Sequence, residues 1–174
     1  MAAKEKTLED AFHETLKDVF YAEKQSVRAL GKAAKSAQAD ELRKLFELHR
    51  EESSNQVERL TQIFEILGKP ARGKTCEAAQ GLTAEMDDDL EEFGSGPAGD
   101  AVLIGCAQAL EHYEIARYGT LKSWATQLGL QDAAKLLDET LEEEKRTDDL
   151  LSQVAEQIAN PKGSGEAAGK AAKG

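Results

Sequence analysis

Four glutamates, Glu23, Glu52, Glu114 and Glu144, fall where a repeating apolar series would otherwise place a hydrophobic side chain. The seven-residue series Leu137, Glu144, Leu151, Ile158 is the clearest, and Ala107, Glu114, Leu121, Leu128 and Leu16, Glu23, Leu30 repeat it. Leu45 and Glu52 share a fourth seam, with His49 and Gln56 beside them. A carboxylate at such a position is turned toward a packed interior, where it is costly unless a cation neutralises it or it takes up a proton. Oxygen donors gathered this way suit iron, manganese, magnesium or calcium better than soft metals. The competing reading is that an acidic helix carries some of these glutamates at the wet edge of its seam.

The elements that must position these residues are helices. From Thr7 to Ala34, apolar residues at Phe12, Leu16, Val19, Phe20, Val27 and Leu30 follow the three-and-four spacing of one helix face. Asp40 is the expected N-cap of a second helix carrying Leu42, Leu45, Phe46, Leu60, Ile63 and Leu67, closed by Gly68 and Pro70. Between Gly73 and Gly99 the pattern weakens to one short amphipathic helix, Cys76 to Phe93, in a long acidic crossover. A third long helix is expected from Asp100 to Leu128 and a fourth from Gln131 to Ala159, stopped by Asn160-Pro161. The spacing therefore predicts an all-α four-helix bundle of two antiparallel hairpins over residues 1–161. A Gly/Ala/Lys tail, residues 162–174, has nothing to bury and is expected to be disordered.

Heights along the bundle axis agree as well. Glu23 lies 12 residues before Lys35 and Glu52 lies 13 after Ala39, so in a hairpin the two stand level. The mismatch is within about 3 Å at the helical rise of about 1.5 Å per residue. Glu114 lies 14 residues before Leu128 and Glu144 lies 13 after Gln131, which repeats the arrangement. The separations Glu23 to Glu114 and Glu52 to Glu144 are 91 and 92 residues, so the two hairpins read as an internal repeat with one site between them.

Composition limits the alternatives. The 174 residues, 40% of them hydrophobic, suffice for one domain with a sizeable core, and the formal charge of −11 disfavours nucleic acid and anionic lipid surfaces as partners. Cys76 and Cys106 are far apart without CxxC spacing, which points to a reducing compartment. No stretch approaches the roughly 20 apolar residues of a membrane span, so a cytoplasmic protein without a membrane partner is expected.

The segments Phe20-Tyr21-Ala22-Glu23-Lys24-Gln25, His49-Arg50-Glu51-Glu52, Glu111-His112-Tyr113-Glu114-Ile115-Ala116-Arg117-Tyr118-Gly119-Thr120-Leu121 and Glu142-Glu143-Glu144-Lys145-Arg146-Thr147-Asp148 resemble the YciF-like family of bacterial stress proteins. The resemblance spans about Thr7 to Ala159 and implies a ferritin-like bundle, a homodimer and a stress-associated role. Ferritin-like di-iron sites place Glu-x-x-His on two of their helices. Here Asn55 and Thr147 occupy the third position after Glu52 and Glu144, so the usual nitrogen ligands are missing. Gln56 and Asp148, at i+4, are the expected substitutes. His49 and Glu111, three residues before Glu52 and Glu114, are further candidate donors, and Tyr118 is read as packing against the site.

Four to six oxygen donors in one layer lead to an expectation of two iron or manganese ions per chain. The favoured function is oxidation of Fe(II) by peroxide or oxygen. The alternatives are a non-enzymatic stress protein that sequesters metal or binds a partner, and a metal-free structural dimer whose buried acids share protons.

Overall fold

The computed structural model describes residues 5–165, and all regular structure among them is helical. Helix α1 (Leu8–Ser36) starts at a capping box: the Thr7 hydroxyl accepts the Asp10 amide at 3.2 Å while the Asp10 carboxylate accepts the Thr7 amide at 2.9 Å. Helices α2 (Asp40–Ile66), α3 (Glu77–Phe93), α4 (Gly99–Gln127) and α5 (Gln131–Val154) follow. Both α2 and α4 end on a glycine with left-handed backbone, Gly68 at φ 62° and Gly129 at φ 74°. The next amides, of Lys69 and Leu130, turn back to the carbonyls of Phe64 and Ala125 at 2.9 Å. The Gly129 turn makes the hairpin α4–α5, the Gly68 turn sends the chain into the crossover, and hairpin α1–α2 turns at Ser36–Asp40.

Hairpin α1–α2 packs on hairpin α4–α5, with α1 against α4 and α2 against α5, closing a four-helix bundle. Helix α3, in the crossover, lies outside against α4 and α1 and buries Ala79 and Met86. The start of α2 differs from expectation. Asp40 is its first residue rather than its cap, and Asp100 at the start of α4 accepts the free amides of Gln38 (2.7 Å) and Ala39 (3.0 Å) instead. A buried carboxylate on the neighbouring hairpin thus fixes one end of the bundle.

Two large apolar clusters make up most of the core. One contains Phe12, Leu16, Phe20, Ile63, Phe64, Leu121 and Leu137; the other contains Leu30, Phe46, Leu103, Ile104 and Leu151. Between them each long helix contributes buried polar side chains: Glu23 and Ser26, then His49, Ser53 and Gln56, then Glu111 and Glu114, and Thr140, Glu144 and Thr147.

The C-terminal end departs from the sequence reading in one respect. Asn160-Pro161 does not stop the chain: a π-helical turn at Ala155–Ala159 leads into the short helix α6 (Asn160–Gly163). The Asn160 amide bonds Ala155 O, five residues back, so the extra residue shifts the phase. Ala159, not Ile158, then continues the Leu151 seam as the fully buried residue. Lys162, assigned from sequence to the tail, bonds the Gln38 side chain at 2.8 Å. The rest of the expected tail, from residue 166, lies outside the described residues.

Candidate metal centre

The polar layer is where the four helices present their chemistry. On α1, Glu23 follows Phe20 and precedes Ser26 and Leu30 on the inner stripe. On α4, Glu111, Glu114, Tyr118 and Leu121 form one stripe, and on α5 Leu137, Thr140, Glu144, Thr147 and Leu151 form another. Each stripe is held inward by the apolar residues above and below, which fix the rotation of its helix.

Glu144 stands at the centre. Ligand atoms of Glu23, Glu114 and Glu144 all lie within 4.8 Å of one another, and so do those of His49, Glu111 and Glu144. His49 Nε2 is 3.0 Å from Glu111 Oε1 and 3.5 Å from Glu144 Oε2; its Nδ1 is 3.1 Å from the Thr147 hydroxyl and 3.5 Å from Glu52 Oε2. The Tyr118 hydroxyl donates to Glu23 Oε1 at 2.5 Å. Eight residues of this layer, Glu23, Ser26, His49, Ser53, Gln56, Glu111, Glu114 and Glu144, contribute ten buried side-chain atoms without a directed hydrogen bond. Nε2 of His49 is among them, so its approach to Glu111 is a close ionic contact rather than a well-aligned hydrogen bond. Buried polar groups in folded proteins are nearly always satisfied, so ten in one layer call for partners beyond the side chains around them.

Proton affinities reflect the crowding. Burial lifts Glu23 to about 7, against the hydrogen bond from Tyr118 and the charge of His49. Burial also pushes Glu114 well above the usual carboxylate range, with Glu23 and Glu111 adding to it, and Glu144 likewise, with Glu111 and Glu114 adding. Burial alone would pull His49 down, yet the charge and close contact of Glu111, with Glu52 and Glu23 behind them, lift it to about 10. A divalent ion would take the place of these protons and gather five carboxylate and imidazole donors from four helices. Glu144, common to both sets, is the group able to face two ions at once.

Of the residues expected from sequence, Glu23, Glu114 and Glu144 come together, and Glu111 and His49 join them. Gln56 lies in the same layer, buried, with its carbonyl oxygen unpaired while its amide donates to Glu143 at 3.1 Å. Two residues are placed differently. Glu52 stands on the flank of α2, largely covered, bonded to Arg146 and beside His49, because the inward seam of α2 runs Phe46, His49, Ser53, Gln56, Leu60. The hydrogen bond from His49, aided by Arg146 against partial burial, holds Glu52 below the usual carboxylate range. Asp148 turns toward the outer side of α4, where Gln108 donates to it at 2.9 Å and His112 lies at 3.3 Å. The buried residue one turn on from Glu144 is Thr147, the i+3 position, which reaches His49 on α2. Neither Ser53 nor the Tyr118–Glu23 bond was singled out from sequence. The spacing Phe46, Ser53, Leu60 carried the signal for Ser53.

A family described as a domain of unknown function, DUF892, matches residues 7–163. Protein YciF of Escherichia coli (strain K12) is 44% identical over 163 residues, covering 93% of this chain and 98% of that protein. The crystal structure of the E. coli stress protein YciF superposes with a TM-score of 0.85, covering 90% of this chain and 99% of that one. YcfI from Rhodopseudomonas palustris, for which a structural role has been suggested, is 40% identical with a TM-score of 0.84, over 89% of this chain and 99% of that one.

Proposed function

The chain belongs to the DUF892 family, and we propose that it is a ferritin-like stress protein of the cytoplasm that holds two divalent ions, iron or manganese, in the polar layer of its bundle. Glu23, Glu114 and Glu144 would hold one ion, and His49, Glu111 and Glu144 the other. The observation that carries this reading is the coincidence of two three-donor sets with the ten unpaired buried atoms. The stress role is carried over from the description of YciF in E. coli.

Iron bound there would supply one-electron chemistry toward oxygen or peroxide. The chain's own part is positional. Tyr118 fixes Glu23 from one side, Thr147 and Glu52 fix His49 through Nδ1 so that Nε2 faces the carboxylates, and the two apolar clusters keep bulk water away. The donors are 0–1% exposed, so only a co-substrate as small as oxygen or peroxide fits the reading.

Anaerobic loading with Fe(II) or Mn(II), followed by elemental analysis, should give about two ions per chain; no bound ion on an intact fold would overturn the proposal. A peroxide pulse on the Fe(II)-loaded protein then separates the functions. Rapid oxidation with turnover supports an oxidoreductase, and retention without turnover supports sequestration.

A further inference from the structure

The donors are buried, and the seam between α2 and α5 carries charge from the surface down to them. Between α2 and α5 the contacts run without a break from solvent to site. Arg146, 54% exposed, hydrogen-bonds Glu52 Oε1; Glu52 Oε2 is 3.5 Å from His49 Nδ1; and His49 Nε2 reaches Glu111 and Glu144. Two turns along, a reciprocal pair closes the same seam: Arg59 of α2 grips Glu143 of α5 through both oxygens, at 2.6 and 2.7 Å. Glu143 in turn accepts the Gln56 amide. Beneath these two pairs the facing walls are polar, with Ser53 and Gln56 on α2 and Thr140 and Thr147 on α5, all buried, and Ser53 Oγ and Gln56 Oε1 unpaired.

Two of the other faces are sealed differently. Against α1 and α4, helix α3 lays Cys76 and Ala79 over Ala22, with Tyr21 and Tyr113 alongside. On the α4–α5 side, Asp148 is engaged by Gln108 and His112, and among the described residues neither reaches His49 or a buried glutamate. An apolar cover offers a hydrated cation nothing in exchange for its water, whereas hydroxyl, amide and carboxylate oxygens do.

Resting on the metal-binding reading above, we infer that the α2–α5 seam is the passage by which a divalent cation reaches the buried layer, with Glu52 as its outer docking carboxylate and Arg146 as the movable plug. Glu52 is a poor permanent ligand for the layer because it stands on the flank of α2. It is well placed to receive a cation from solvent and pass it to the donors around His49. Arg146 occupies Glu52 in the closed form and repels an approaching cation, so its outward swing is the opening step. Its exposure leaves its long side chain free to make that movement. The Arg59–Glu143 pair, bidentate and only about 20% exposed, holds the two helices at fixed spacing while the outer pair opens.

The test uses Co(II), which is visible by absorption and remains divalent, mixed anaerobically with the full chain in a stopped-flow instrument. Arg146→Met should load about tenfold faster and release about tenfold faster, leaving the equilibrium affinity within about threefold. Glu52→Gln should load about tenfold more slowly with unchanged stoichiometry. Lys122→Met removes the same charge from the surface pair with Asp138, and it should load at the wild-type rate. If the wild type takes up cobalt and Glu144→Met does not, while Arg146→Met and Glu52→Gln both load at the wild-type rate, the passage is elsewhere and the metal reading stands. Loss of all binding in Glu52→Gln would make Glu52 an equilibrium ligand and overturn its delivery role. A wild type that takes up no cobalt overturns the metal reading, and the passage with it.

Discussion

Replacing Glu144 with methionine should make the metal-free protein more stable and remove its response to metal at the same time. Glu144 is 0% exposed, both its carboxylate oxygens are unpaired, and burial with the nearby Glu111 and Glu114 pushes its proton affinity well up. An unpaired buried polar atom costs about 1–3 kcal/mol, so the two oxygens of the carboxyl cost about 2–6 kcal/mol together. Methionine matches glutamate closely in length and fills the space with apolar contact. Allowing for imperfect repacking, a gain of about 2–4 kcal/mol is expected. At roughly 2–4 °C per kcal/mol for a domain of this size, the melting temperature should rise by about 4–16 °C. The wild type, by contrast, should gain about 2.7 kcal/mol from a metal held at about 100 times its dissociation constant. Differential scanning calorimetry after chelation, with and without Mn(II) at neutral pH, therefore predicts a crossing: the variant melts higher without metal and does not move when metal is added. A variant less stable than the wild type by more than about 1 kcal/mol, together with a wild type indifferent to metal, would refute the reasoning. Glu144 would then be a structural group satisfied within the protein.

The stability of the metal-free protein should fall as pH rises. Glu23 moves from its ordinary 4.5 to about 7 in the folded state, so the folded form keeps a proton that the unfolded chain releases. The stability is full below pH 4.5 and lost as pH passes about 7, by about 3 kcal/mol from this group; His49, raised from 6.5 to about 10, adds a loss in the same direction at higher pH. Urea titrations across pH 5–9 would check the slope, and a rising slope would contradict it. Tyr118→Phe removes the donor to Glu23 and should cost about 1–3 kcal/mol of stability, read from the urea midpoint, since a buried carboxyl oxygen is left without its donor. Thr147→Val should weaken Mn(II) binding more than Asp148→Asn, because Thr147 holds His49 while Asp148 serves Gln108 and His112; isothermal titration showing the reverse order would return Asp148 to the ligand set.

Local chemistry was enough to place the helices and three of the buried carboxylates. Thr7, Gly68 and Gly129 announce their turns because a cap hydroxyl and a left-handed backbone are properties of single residues. Glu23, Glu114 and Glu144 are legible because each is flanked seven residues away by leucine or alanine on a stripe that can only face inward. Their common height follows from counting residues back to the turns. What the sequence left open is the rotation of each helix about its own axis. Successive residues differ by about 100°, so residues three and four apart lie on opposite sides of a seam, about 60° and 40° from its centre. On α5 this separates Thr147, which leans to α2, from Asp148, which leans to α4. On α2 the packing of Phe46, Leu60 and Ile63 turns His49 inward and leaves Glu52 at the rim. The π-helical turn that exchanges Ile158 for Ala159 has the same character. A periodic pattern records which side of a helix is apolar, but the choice between two adjacent polar residues at its margin is made by the neighbouring helices.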